Sequence, residues 1–194
     1  MNLLVFPQLP ANSGEEAAIL VHSALSEYYA LFGLDRGLIL ASIERQLHQP
    51  SEIERVIAAV VDDRVVGLAC YYPVDEMEQR QMASLVDLMT AASDRRAVTK
   101  RVRDFARQIP PLSESGLYLA RLAVGPAYFG SGVAKNLMDA LEEETRRQKL
   151  GLLSLHVNRA NARAVAFYQK CGFVFGEGPM ADFAVMKKDC GLSS

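Results

Sequence analysis

The stretch Leu122-Ala123-Val124-Gly125-Pro126-Ala127-Tyr128-Phe129-Gly130-Ser131-Gly132-Val133-Ala134-Lys135 decides the fold. An apolar, strand-forming run passes into a glycine-rich turn and leaves it as a helix over Ser131 to Gln148, with Ala134, Leu137, Met138 and Leu141 on one stripe. Backbone N–H groups at the start of such a helix lack an intrahelical acceptor and sit at the positive end of its dipole. Gly130 and Gly132 place no side chain in the way, so the loop is expected to bind phosphate. Spacing separates the rival phosphate loops. Gly125 and Gly130 supply the glycines of a Walker loop, but Ser131 stands where its lysine must reach the phosphates. A dinucleotide fingerprint also fails, because Lys135 takes its third small position and the next strand ends in Asn158-Arg159 instead of an acidic residue.

Outward from the loop, Leu117 to Val124 reads as the strand that feeds it and Leu152 to Val157 as a short apolar strand beyond the helix. Asn161 to Lys170 is a further helix, closed by Gly172. Phe173 to Phe175 and Phe183 to Lys187 form a closing hairpin across Gly176-Glu177-Gly178-Pro179. Upstream, Leu3 to Phe6 is a first strand, and Ser13-Gly14-Glu15-Glu16 has the form of a capping box opening a helix with Ala17, Leu20, Val21, Ala24, Leu25 and Tyr28 on one face. A second helix covers Gly37 to His48 and stops at Pro50. Arg55 to Val61 and Arg64 to Tyr71, joined by Asp62-Asp63, read as a hairpin that Pro73 ends. Residues 75–116 carry two helical patterns where a meander needs only a turn: Met82, Leu85, Val86 and Met89, then Val98, Val102, Phe105, Ala106 and Ile109, with Pro110-Pro111 closing the segment. This insertion is expected to cover the sheet, to wall an acceptor pocket, or to form a homodimer contact.

The chain has 194 residues, of which 50% are hydrophobic and 23% charged, which is ordinary for one compact domain. We expect that domain to span residues 1–189, with a short tail over 190–194. Twenty-one basic residues against twenty-three acidic ones give a net charge of -2 and no basic excess, so nucleic acid is not an expected partner. No apolar run approaches the roughly 20 residues of a membrane span, and Met1 to Pro7 lacks a positive leader. Cys70, Cys171 and Cys190 are few and scattered without metal-ligand spacing, so no metal is expected and a reducing cytoplasm fits.

Phe129-Gly130-Ser131-Gly132-Val133-Ala134 resembles the acyl-CoA loop of the GCN5-related N-acetyltransferases (GNAT), Gln/Arg-x-x-Gly-x-Gly/Ala, in all but its first residue. Leu122-Ala123-Val124-x-Pro126 is similar to the family's fourth strand and turn, and Asn161-x-x-Ala164-x-x-Phe167-Tyr168-x-x-x-Gly172-Phe173 to its second acyl-CoA segment. The resemblance covers most of the chain outside the insertion. It implies an α/β fold around a GNAT-like mixed central sheet, running strand, helix, helix, three strands, helix, strand, helix and two strands. The sheet would be splayed between its fourth and fifth strands to admit acyl-CoA.

The implied reaction moves an acetyl group from acetyl-CoA to a primary amine by direct attack, with no acyl-enzyme. Phe129 through Ala134 would hold the pyrophosphate, and the backbone of Leu122, Ala123 and Val124 would pair with the pantetheine arm. Asn161 would hydrogen-bond that arm as well as cap its helix. Tyr168 lies seven residues on, along the same helical stripe, and matches the family's general acid for the departing thiolate.

The base is less defined. Several family members carry a glutamate on the fourth strand four residues before this valine, but Ala120 stands there. Alternation puts Ser154, His156 and Asn158 on one face of the fifth strand, and His156 matches the site of a glutamate base in the ribosomal-protein alanine acetyltransferases. A water chain is the other route. Arg121 reads either as a carboxylate receptor for the acceptor or as an ion-paired arginine, and Tyr28, Tyr29 and Phe32 are expected to line the acceptor pocket. The acceptor is a small-molecule or peptide amine. Two rival readings stand beside the enzyme: a module that binds or senses acyl-CoA without turnover, and an interaction protein with a vestigial loop.

Overall fold

The computed structural model describes residues 2–177 and 181–191. Seven strands form one sheet in the order β1-β2-β3-β4-β5-β7-β6. β1 (Leu3–Phe6), β2 (Val56–Val61), β3 (Arg64–Pro73) and β4 (Leu117–Val124) pair antiparallel, each with the next. β5 (Leu152–Asn158) lies parallel to β4, and β7 (Phe183–Asp189) and β6 (Val174–Phe175) complete the sheet antiparallel. The hairpin over Asp62 and Asp63 turns with both residues at positive φ (49° and 61°), a conformation that short acidic side chains tolerate.

Helices cover both faces. On one lie α1 (Gly14–Ala24), α2 (Ser26–Ala30), α3 (Arg36–Gln46), α4 (Met77–Ala91) and α5 (Arg95–Ala106), sharing a core with Leu68, Cys70 and Ala123. On the other lie α6 (Val133–Arg147) and α7 (Ala162–Lys170), packed with Leu117, Leu119, Leu153, Leu155 and Val157. Gly67 sets how closely α6 approaches, since a Cβ there would lie 2.9 Å from Val133 Cγ1 and 3.1 Å from the Ala123 carbonyl oxygen.

Several local expectations need correction. A third helix, α2, stands between β1 and β2, because the chain turns at Leu25 and carries Tyr28 and Tyr29 off the first helix. The capping box does not form. Ser13 Oγ donates to the Pro10 carbonyl instead, and the Glu16 carboxylate accepts from Arg64 Nε (2.8 Å) and the Val65 N–H (2.9 Å), tying α1 to the start of β3. On α4 the inward residues are Arg80, Ser84 and Leu88, while Met82 and Val86 of the expected stripe are exposed. Arg80 is held inward by Glu76, Glu54 and the Ser51 carbonyl, a set of partners that apolar periodicity does not register. Cys190, placed in the tail, belongs to the body: it is buried, and its N–H donates to the Gly151 carbonyl. Part of the turn before β7, and residues 192–194, fall outside the described residues.

Candidate active site

β4 and β5 pair only at Leu117↔Leu153 and Tyr118↔Ser154, then separate. Their splay opens a cavity of about 530 Å³ lined by Leu119 through Leu122 of β4, His156 through Asn158 of β5, and Asn161, Ala164 and Tyr168 at the start of and along α7. Gly125 donates its N–H to the Val66 carbonyl of β3 at 2.7 Å. Alternation along the strand then turns the N–H groups of Val124 and Leu122 away from β3, into the gap. Ala123 differs from its expectation: its polar groups point to β3, and its side chain is buried on the α1 face.

The glycine loop sits where β4 ends. Gly130 and Gly132 take φ of 78° and 90°, and Gly132 is the residue from which α6 starts. The Ser131 N–H donates to the Tyr128 carbonyl at 3.2 Å and its hydroxyl to the same oxygen at 2.6 Å, so Ser131 offers no free donor. Among the described residues, the N–H groups of Gly130, Gly132, Val133, Ala134 and Lys135 have no acceptor in the protein, which is the donor set an anion requires. Val133 contributes only its backbone, its side chain being fully buried. Phe129 is half exposed, and the guanidinium carbon of Arg163, from the first turn of α7, stands 4.0 Å above its ring centre.

Tyr168 lines the groove with no hydrogen bond to its hydroxyl among the described residues, and its ring packs against Phe167 and Phe173. Burial, then the neighbouring Cys171, push this phenol up, so it holds its proton throughout the physiological range. Asn161 Oδ1 accepts the Ala164 N–H at 3.0 Å, and beside the same groove its amide nitrogen has no partner among the described residues.

A second cavity of about 660 Å³ opens on the α1 face, between α4, α5 and the Ile109–Leu112 segment. The two cavities share Leu25, Ala120, Arg121, His156 and Phe183. At this junction a β-bulge makes Ala120 an extra residue on β4, with Cys70 opposite Arg121 and Tyr71 opposite Leu119. The bulge shifts the alternation so that Arg121 shares a face with Tyr118 and Ala120 instead of pointing at α6.

His156 lies at the junction with both ring nitrogens engaged. Nε2 is 2.8 Å from the Pro110 carbonyl, which can only accept, so Nε2 carries the proton and Nδ1 accepts from the Tyr118 hydroxyl at 2.9 Å. Burial lowers the pKa of this imidazole, although its bond to Pro110 opposes the shift. Arg121 is buried, its Nη1 donating to the Ala120 carbonyl at 2.8 Å and its Nη2 lying 3.7 Å from Glu52. Its Nε has no partner among the described residues. Burial raises the Glu52 carboxyl, while Arg121 and Ser84 pull it back.

Tyr118 and Glu52 escaped the sequence reading. Tyr118 would have shown itself only if the bulge were known. Glu52 comes from an irregular loop, fixed by its N–H donating to Ser84 Oγ (3.2 Å) and by Ser51 bonding the Gln46 carbonyl. Of the three aromatic residues expected to line an acceptor pocket, Tyr28 lines this second cavity, whereas Tyr29 and Phe32 are buried in the core of the α1 face. Among the described residues no helix is long and apolar enough to cross a membrane, and no cluster of metal-ligating side chains occurs.

The fold is that of known acetyltransferases. An N-acetyltransferase from Staphylococcus aureus Mu50 superposes with a TM-score of 0.72 at 16% identity, over 95% of this chain and 100% of that one. PaiA N-acetyltransferase from Thermoplasma acidophilum, solved in complex with coenzyme A, gives 0.55 at 17% identity over 97% and 99% of the two chains. The ribosomal-protein-S18-alanine N-acetyltransferase from Escherichia coli gives 0.57 at 13% over 100% and 97%. A sequence search of curated proteins returned no match. The family model described as the Acetyltransferase (GNAT) family matches residues 20–173, and the chain belongs to that family.

Proposed function

We propose that this protein transfers an acetyl group from acetyl-CoA to a primary amine, directly and without an acyl-enzyme. The observation that carries this reading is the meeting of two cavities at Ala120, Arg121 and His156, one lined by Leu122, Asn161 and Tyr168 beside the strand that leads into the glycine loop, the other walled by α4 and α5. In this reading the five unpaired N–H groups of the loop hold the pyrophosphate. The Leu122 and Val124 N–H groups and the Asn161 amide bind the pantetheine arm. Arg163, steadied on Phe129, supplies the positive charge that the family's Gln/Arg position lacks here.

The amine nitrogen attacks the thioester carbonyl carbon, and the carbon–sulfur bond breaks. Tyr168 gives its hydroxyl proton to the departing sulfur. The proton lost by the amine passes to the Tyr118 oxygen as the Tyr118 proton moves to His156 Nδ1, and the Pro110 carbonyl holds the resulting imidazolium at Nε2. His156 thus acts through Tyr118, since its own lone pair is occupied. Solvent returns the proton to Tyr168 as His156 releases one.

Coenzyme A release across an amine panel tests the reaction. Tyr168→Phe should lower kcat by about 10²-fold or more while leaving the affinity for acetyl-CoA within about twofold. Binding without turnover, unchanged by this substitution, would establish a non-catalytic acyl-CoA module instead.

A further inference from the structure

We propose that the acceptor is a small apolar amine without a carboxylate, its hydrocarbon body lying in the α4/α5 cavity; this rests on the acyltransferase reading above. The cavity of about 660 Å³ falls within the range of small-molecule sites, roughly 300–1,000 Å³. Met82, Leu85, Val102, Phe105, Ile109 and Leu112 give it an apolar wall. Met82 is 54% exposed in spite of its size, so part of that wall is open to be covered by the acceptor.

Charge in the cavity decides between an amine and an amino acid. Its one arginine, Arg121, already faces Glu52 at 3.7 Å and stands 5.8 Å from the Tyr28 ring centre. A carboxylate brought to Arg121 would therefore also meet Glu52, in a buried setting where like charges repel strongly. At the rim, Asp75 and Glu78 are exposed and line the same cavity, with no basic side chain at ion-pair distance among the described residues. An approaching ammonium is drawn to that rim, and a carboxylate is turned away. The ammonium gives one proton to water at the rim, and the neutral amine loses its second to the Tyr118–His156 pair as it attacks, where the two cavities join.

Matched pairs differing only in the carboxylate test this. With full-length protein and acetyl-CoA, kcat/KM should be at least about tenfold higher for phenethylamine than for phenylalanine, and for tyramine than for tyrosine. The variant Asp75→Asn/Glu78→Gln should raise KM for phenethylamine several-fold and leave the dissociation constant of acetyl-CoA unchanged. Equal or better use of the amino acids would show that Arg121 receives a carboxylate and would overturn the inference. Preference for a tetrapeptide with an N-terminal alanine would overturn it as well. Thermal stabilisation by acetyl-CoA alone, measured in parallel, separates the two levels. No stabilisation defeats the acyltransferase reading itself, whereas stabilisation without acetylation of either apolar amine defeats only the acceptor class.

Discussion

The two cavities that meet at Ala120 are built from different material. The groove between β4 and β5 offers the backbone edge of a strand whose partner has veered away, and beyond the end of β4 come the loop N–H groups around Gly130 and Gly132, both at positive φ. The cavity under α4 and α5 presents side chains almost throughout, drawn from a loop, two insertion helices, a proline turn and three strands. A backbone site needs only the right small residues at the right spacing, so its set of unpaired N–H groups is present with Phe129 in the Gln/Arg position. A side-chain site is set by packing, and so it differs freely between proteins that share the fold.

That contrast is tested most strongly where the two cavities join. Tyr118→Phe removes the hydroxyl that links the amine to His156 Nδ1, and His156→Gln keeps a donor for the Pro110 carbonyl while removing the proton acceptor. Each should lower kcat by about 10²-fold with acetyl-CoA affinity little changed. Equal losses in the single variants and the double variant would show the pair acting as one unit. The pH behaviour has a defined sign. Because burial depresses the His156 pKa, the acid limb of kcat should lie below the usual imidazole value of about 6.5, and His156→Gln should abolish it. The same depression makes folding stability complete above about pH 6.5 and lost as pH falls below it, since the unfolded imidazole takes up a proton that the folded one resists. Thermal melts of the two proteins from pH 7.5 to 5 should therefore converge at low pH.

The sequence showed the first cavity far better than the second, for a physical reason. Strand, glycines and helix start are local features, and the spacing from Asn161 to Tyr168 fixes a common helical face, so Leu122, Asn161 and Tyr168 of the first cavity could be named together from the sequence. The Ser131 donor was misjudged because the tight turn folds it back on the Tyr128 carbonyl, a bond that composition does not reveal. On the acceptor side, the bulge at Ala120 changes which face Arg121 occupies, and Glu52 reaches the cavity only through the folding of α3 and α4 against each other. Such placements depend on tertiary contacts. The alternation that correctly grouped Leu153, Leu155 and Val157 has no means of reporting them.

Gly132→Ala tests the backbone character of the donor groove. Its Cβ would come no closer than 3.8 Å to anything, here Asn136 Nδ2, so the loss arises from the φ of 90° and not from a clash. Relaxing that strain, about 1–2 kcal/mol in stability, re-aims the N–H groups that open α6. Acetyl-CoA affinity should fall by about tenfold, as expected for a weakened charge-assisted hydrogen bond. Acceptor preference across the amine pairs should be untouched. A change in that preference would mean that the two cavities are not independently built.

The smallest effect concerns the side-chain contact proposed for the pyrophosphate. Arg163 is exposed and, among the described residues, anchored only by the Phe129 ring, so water and salt screen its charge. Arg163→Ala should weaken acetyl-CoA binding by about two- to fivefold at low ionic strength and less as salt rises. Acetyl-pantetheine, which lacks the diphosphate and nucleotide, should bind both proteins alike. Phe129→Ala should act in the same direction by freeing the guanidinium. Phe129→Arg, which puts the family's own basic choice at that position, should offset the loss in the Arg163→Ala background. An Arg163→Ala effect of equal size on acetyl-pantetheine would place this arginine's influence on the fold of α7 and not on phosphate, and the proposed pyrophosphate site would then be a purely backbone device.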